Sequence, residues 1–244
     1  MRNIWTIARR EYDQYFISPI AYVVAVAILF MVGGYFAFLL FYANQQFGFV
    51  PEINQLNDLF AFLLLLSIPA LTMRVLADET RTGTIELLLT APVRDFELVA
   101  GKWLGSFMFV LTLILVTGIY PVILRSQVTP GLDWKLLLSS YLGLILLAGA
   151  LVAIGVGFSA LFSNQVTAFI STLAIFITLW WLIGIPANVL TTGSEFFRYM
   201  SINTHFGSSI NQGNLELSNL IYFFSLIAVG LFTGTVAIEV RRWK

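Results

Sequence analysis

Long apolar runs dominate the chain, and polar residues fall in short breaks between them. A bilayer core about 30 Å thick needs roughly 20 apolar residues in a helix. Residues 20–42 meet that length without a single charge. Residues 59–76 form a shorter run, with Pro69 inside it and Arg74 near its end. A long basic side chain there can reach the interface. Further runs cover residues 103–124, 136–162, 166–190 and 217–240, the last with Glu239 in its final turn. Only Ser163, Asn164 and Gln165 separate the fourth run from the fifth. The pattern predicts an all-α membrane protein of six transmembrane helices, forming one transmembrane domain over residues 1–244, with both chain ends on one side.

Two amphipathic stretches interrupt this pattern. The first precedes the first run and reads NIWTIARREYDQYFISP. At about 100° per residue, Ile4, Trp5, Ala8, Tyr12, Tyr15 and Phe16 share one face, with Arg9 and Arg10 off it. Residues 1–19 are thus expected to form an amphipathic elbow helix in the membrane interface, closed by Pro19. It reads as an anchor or as an elbow that also meets a cytoplasmic partner.

The second stretch, MRVLADETRTGTIELLLTAPVRDFELVAGKW, carries nine of the chain's charged residues in about an eighth of its length. Thr82, Glu86 and Thr90 are spaced by four and make a polar stripe on a helix, while Ile85, Leu88 and Leu89 make an apolar face. Gly83 and Pro92 bracket a short helix over residues 82–91. Asp95 is the expected N-cap of the next helix. Arg74, Asp78, Glu79 and Arg81 are expected where the second span meets water, paired loosely. Such a segment is either an interfacial helix with solvated charges or a docking element that takes a push from a soluble partner. Periodicity leaves both open.

Composition agrees with the apolar pattern. Charged residues make up 11% of the 244, against about 25% in soluble domains. Net charge is zero, which gives no basic field for nucleic acid. The chain has no cysteine, so disulfides and thiolate metal sites are excluded, and its one histidine, His205, cannot build a multi-histidine site. Ten of the lysines and arginines fall on the face holding both ends and the charged segment, and only Arg125, Lys135 and Arg198 on the other. That asymmetry predicts both termini in the cytoplasm, and the expected location is the cytoplasmic (inner) membrane.

No GxxxxGK[ST] phosphate loop is present, and Gly101-Lys102 is followed by Trp103. No ionisable residue falls in the middle of a run, which disfavours a proton- or sodium-driven carrier. Gly149, Ala153 and Gly157 recur every four residues, as do Gly230 and Gly234. They permit close helix approach, within one subunit or across a dimer seam.

The stretch RVLADETRTGTIELLLTAPV resembles the signature of type-2 ABC exporter permeases, carried here by Gly83, Thr84, Glu86, Leu87, Leu88, Leu89 and Pro92. The C-terminal stretch resembles the gliding-motility-type subfamily through Ser201, His205-Phe206, Gly213, Tyr222-Phe223-Phe224-Ser225 and Arg242-Trp243. The resemblance implies that residues 82–91 are a coupling helix seated on an ABC ATPase subunit. Glu79, Arg81, Thr82, Gly83, Glu86, Leu87 and Thr90 would lie at that contact, with Ser163, Asn164 and Gln165 as a second, smaller one. ATP and Mg would bind the partner ATPase and nothing would bind this chain directly. A second permease subunit, identical or paired, and an auxiliary membrane protein with an external domain are further implied partners. The resemblance also implies that residues 186–214 partly re-enter the outer leaflet before the sixth span. Phe62, Phe176 and Trp180 are candidate linings of a translocation path. The expected function is ATP-driven export. The alternatives are a subunit that relays ATPase motion to an envelope partner without moving a solute, and an intramembrane enzyme, which would need a polar pair at membrane depth.

Overall fold

The computed structural model describes residues 2–45, 51–83, 93–127, 133–189 and 193–242. Among them every regular element is helical, and six helical segments are long and apolar enough to cross a membrane. The amphipathic arm is α1 (Arg2–Tyr15), and α2 (Pro19–Gln45) starts on Pro19, whose missing N–H is harmless in a first turn. Then come α3 (Ile53–Thr72) and the short α4 (Ala77–Arg81). These are followed by α5 (Asp95–Thr117), α6 (Ile119–Gln127), α7 (Trp134–Leu161) and α8 (Gln165–Trp180). Three short helices, α9 (Ile185–Val189), α10 (Ser194–Met200) and α11 (Ile202–His205), lead to α12 (Leu217–Arg242).

The apolar runs do not share the core equally. α7 is the central helix, buried on nearly every side from Ser139 to Ala160. α2 buries one narrow stripe, Ala21, Ile28, Val32, Phe36 and Leu39, and leaves Val23, Val26, Phe30 and Phe38 exposed. In a bilayer such a face meets lipid or another apolar chain. The small-residue ladders close one intrachain seam. A Cβ on Gly157 would stand 2.5 Å from the Gly230 carbonyl oxygen, and one on Gly230 would stand 2.5 Å from the Ala153 carbonyl carbon. The backbones of α7 and α12 therefore touch, and the ladder belongs to packing within the chain.

Prolines set two interruptions that the apolar runs conceal. The third span, expected unbroken over residues 103–124, breaks at Gly118 between α5 and α6. Pro121 has no N–H to give to the Thr117 carbonyl. The Tyr141 hydroxyl donates to that carbonyl instead, at 2.9 Å. The fifth span, expected over residues 166–190, stays α-helical only to Trp180 and then tightens into a 3-10 turn at Leu182–Gly184. Pro186, which cannot continue a ladder of N–H donors, sits in the first turn of α9.

Beyond Gly193 the chain folds back onto one end of the bundle. Phe206 and Ile210 are fully buried, and Ile210 packs so tightly on α7 that a Cβ on Gly143 would lie 2.6 Å from it. Asn211 Nδ2 donates to the Asn54 carbonyl at 3.0 Å and to Asp58 Oδ1 at 2.7 Å, which pins this segment to the start of α3. Of the aromatics there, Phe206 is the one buried, while Phe196 and Tyr199 stay largely exposed. At the opposite end, Asn3 Nδ2 donates to Glu97 Oε2 at 3.1 Å and Arg242 pairs with Asp95 at 2.6 Å. The first and last helices therefore meet α5 at the same end, beside α4. Asp95 is not the cap expected of it. It is the first helical residue of α5, with Arg94 before it, and its carboxylate serves the C-terminal helix.

Candidate functional site

The charged end of the bundle is built around one lysine. Lys102 lies in the third turn of α5 and is 4% exposed. Its Nζ is 2.8 Å from Glu79 Oε1 on α4 and 3.1 Å from Glu11 Oε2 on α1, and donates to the Val75 carbonyl at 2.9 Å. An unpaired charge at that depth costs several kcal/mol, and good geometry with further hydrogen bonds offsets the cost. All three ammonium protons have an acceptor, so the cluster is satisfied from the lysine side. This corrects the sequence expectation for Glu79. It is not a solvated charge in a loose surface pair but a half-buried member of a three-helix ion cluster.

α1 reaches Lys102 because α5 is cut away along one side. A Cβ on Gly101 would stand 2.7 Å from Ile7 Cβ, and one on Gly105 would stand 2.6 Å from the Ala8 carbonyl oxygen. The contacts climb together, from Asn3 with Glu97 to Ile7 with Gly101 and Glu11 with Lys102. α1 thus runs in the same sense as the first half of α5. Its last turn is fixed by Tyr15, whose ring stacks on Phe109 at 4.7 Å and whose hydroxyl donates to Ser106 Oγ at 2.9 Å. Burial pushes the Tyr15 phenol above its ordinary value, so it stays a neutral donor. The buried face of α1 is therefore Ala8, Glu11 and Tyr15, while Trp5, Phe16, Arg9 and Arg10 are exposed.

α4 is anchored from the other side by α7. Ser159 Oγ accepts from the backbone N–H groups of Leu76 and Ala77, each at 3.1 Å, and donates to the Met73 carbonyl at 3.2 Å. One hydroxyl so satisfies the chain where it leaves α3 and enters α4. Asp78 Oδ1 then accepts from Arg81 Nη2 at 3.0 Å and from Gln165 Nε2 at 2.7 Å. Asn164 caps α8 by accepting from the Val166 N–H at 2.9 Å. The Ser163–Gln165 turn and the charged segment, separate in sequence, are one surface in space. Arg81 is exposed there, with 63% of its side chain accessible.

Thr82 and Gly83 end α4 rather than open a new helix. Thr82 Oγ1 donates to the Asp78 carbonyl at 2.8 Å, and Gly83 turns the chain with φ +73°, a conformation that favours glycine. Most of the expected coupling helix, with Glu86, Leu87 and Thr90, lies outside the described residues, as do Thr84, Leu88, Leu89, Pro92 and Trp243.

The three candidate path aromatics do not share a surface. Phe176 is fully buried, Trp180 packs on Phe206 with centroids 6.1 Å apart, and Phe62 is 39% exposed beside Trp181. His205 has a partner at each ring nitrogen, Asn219 Oδ1 and the Tyr199 carbonyl, both at 2.8 Å, and stacks on Tyr222. Among the described residues no cluster of carboxylates and histidine could hold a metal ion.

Lys102 and Glu11 are the site residues that sequence reading missed. The signal was the small-residue spacing Gly101-Lys-Trp-Leu-Gly105, which marks a face where another backbone packs closely and a lysine beside it must be covered.

A comparison with curated proteins finds no match. A family model described as ABC-2 family transporter protein matches residues 5–229, nearly the whole chain and all of the elements that build this site.

Proposed function

The chain belongs to the ABC-2 transporter family and is a membrane permease subunit of an ABC transporter, and on that premise we propose that it serves an ATP-driven exporter of the gliding-motility type. The observation that supports coupling to an ATPase is the joint surface of α4 and the α7–α8 turn, held by the Gln165–Asp78 bond of 2.7 Å; the gliding-motility type rests on the C-terminal resemblance alone. A soluble ATPase pressing on that surface contacts two connections at once. In this reading ATP and Mg2+ sit on the ATPase, whose closure displaces residues 82–91. Two permease subunits assemble over two ATPases, and the charged end faces the cytoplasm of the inner membrane. Glu86, on the polar stripe of that segment, and exposed Arg81 are the contacts.

The test is to co-purify the chain with its cognate ATPase and compare wild type with Glu86→Arg for complex recovery and ATP turnover in lipid. The reading expects normal membrane insertion with loss of the ATPase or of coupled turnover. Unchanged binding and turnover would remove Glu86 from the contact. Failure of the wild type to retain any ATPase would overturn the reading. Stimulation of turnover by a solute separates export from a purely mechanical relay.

A further inference from the structure

Beside the Lys102 cluster lies a cavity of ≈ 490 Å³ between α1, the start of α2, the end of α3 and α4. Its walls are of two kinds. Toward the end of the bundle they are ionic, with Arg10, Arg74 and the cluster itself. Toward the bundle they are apolar, with Ile20, Ala21, Ala70 and Leu71.

The charges on its walls are unequally committed. The Glu11 and Glu79 carboxylates face Lys102 at 3.1 and 2.8 Å. Asp78 accepts from Arg81 and Gln165. Arg10 and Arg74 make no ion pair with any described residue. Arg74 reaches only the Ser18 hydroxyl, at 3.4 Å. Two guanidinium groups thus border one cavity without a direct ion pair, Arg10 standing near enough to Glu79 to favour its charged form.

We propose that this cavity binds the phosphate headgroup of an anionic phospholipid, with Arg10 and Arg74 as its ligands. A guanidinium offers paired N–H donors that match a phosphate, and basic pockets between membrane helices take lipid headgroups. The Ser18 hydroxyl, which accepts from Arg74, keeps its own proton to donate to the same phosphate. The apolar wall selects a lipid over a free anion. An inorganic phosphate would leave half-buried Ala70 and exposed Ile20 facing water, whereas a glycerol backbone and the first methylenes cover them. Ile17 and Ile20, at 79% and 38% exposed, continue the apolar surface away from the cavity and give the acyl chains a route into the leaflet. A lipid seated there touches α1, α2, α3 and α4 together. It would brace the joint between the arm and the charged segment.

The experiment uses the full chain in a neutral detergent and reads thermal unfolding with dioleoylphosphatidylglycerol, dioleoylphosphatidylcholine or inorganic phosphate added. Phosphatidylglycerol at saturation is expected to raise Tm by about 5–10 °C, and the other two by less than a third of that. Arg10→Gln/Arg74→Gln is expected to lose the increment. Arg198→Gln, at the opposite end of the bundle, is expected to keep it. An equal rise with phosphatidylcholine overturns the proposal, and so does a double variant that responds like wild type. A rise reproduced by inorganic phosphate alone makes the site one for free anions and overturns the lipid assignment. Should the double variant not fold, native mass spectrometry of the wild type decides from an equimolar lipid mixture. Retention of phosphatidylglycerol at least about fivefold over phosphatidylcholine upholds the proposal, the preference expected of about 1 kcal/mol. A ratio near one overturns it.

Discussion

Lys102→Met tests whether the ion cluster holds the arm to the bundle. The substitution keeps the length of the side chain and removes its charge. It leaves Glu11 and Glu79, whose side chains are 11% and 26% exposed, without their shared cation, and the Val75 carbonyl without its donor. Breaking a buried pair from one side costs about 3–5 kcal/mol, because the remaining charge stays desolvated. For a chain of this size 1 kcal/mol shifts Tm by about 2–4 °C. The variant should therefore unfold about 6–20 °C below wild type, followed by tryptophan fluorescence in detergent. A second variant, Glu11→Gln/Lys102→Met/Glu79→Gln, removes every charge of the cluster and should recover most of that loss. A buried ion cluster replaced as a whole is often near neutral, and the three groups are coupled. The reasoning is refuted if Lys102→Met unfolds within about 2 °C of wild type, or if the triple variant is no better than the single one.

Two further substitutions probe the α7–α12 seam and the anchoring of α4. Gly230→Ala places a methyl 2.5 Å from the Ala153 carbonyl carbon; since backbone must yield, a loss of about 1–3 kcal/mol is expected, read as a lower Tm. Ser159→Ala removes the acceptor of two buried N–H groups at Leu76 and Ala77; a loss of about 1–3 kcal/mol is expected, with amide hydrogen exchange rising at those two positions and unchanged along α12.

The lengths of the apolar runs were enough to place the helices, because a span must satisfy its own backbone and cannot be much shorter than the bilayer. Helix breaks were harder to read. Pro121 and Pro186 sit inside apolar runs that hydropathy treats as uniform, and the break at Gly118 is stabilised by Tyr141, a partner 24 residues from the carbonyl it serves. The charged segment was legible as a concentration of charge and no further. Glu79 and Arg81 are two residues apart, yet one is half-buried against Lys102 and the other exposed. That difference depends on Glu11, 91 residues away from Lys102. The small-residue ladders carried real information about close approach. Spacing alone could not say that the facing backbone was α12 of the same chain.

The concentration of charge near α4 therefore has two physical causes. Part of it is exposed, as Arg81 is, and is available to a partner. The other part is structural. Glu79 is on α4, Lys102 on α5 and Glu11 on α1, so any displacement of α4 must carry α1 and α5 with it or separate buried charges. Separation costs several kcal/mol, far above thermal energy, whereas sliding of α4 together with α1 and α5 breaks none of these bonds. Ser159 adds the same constraint toward α7 at the other edge of α4. A push on this end is thus shared among α1, α5 and α7, while α2 and α8 each bury only a narrow stripe against the bundle.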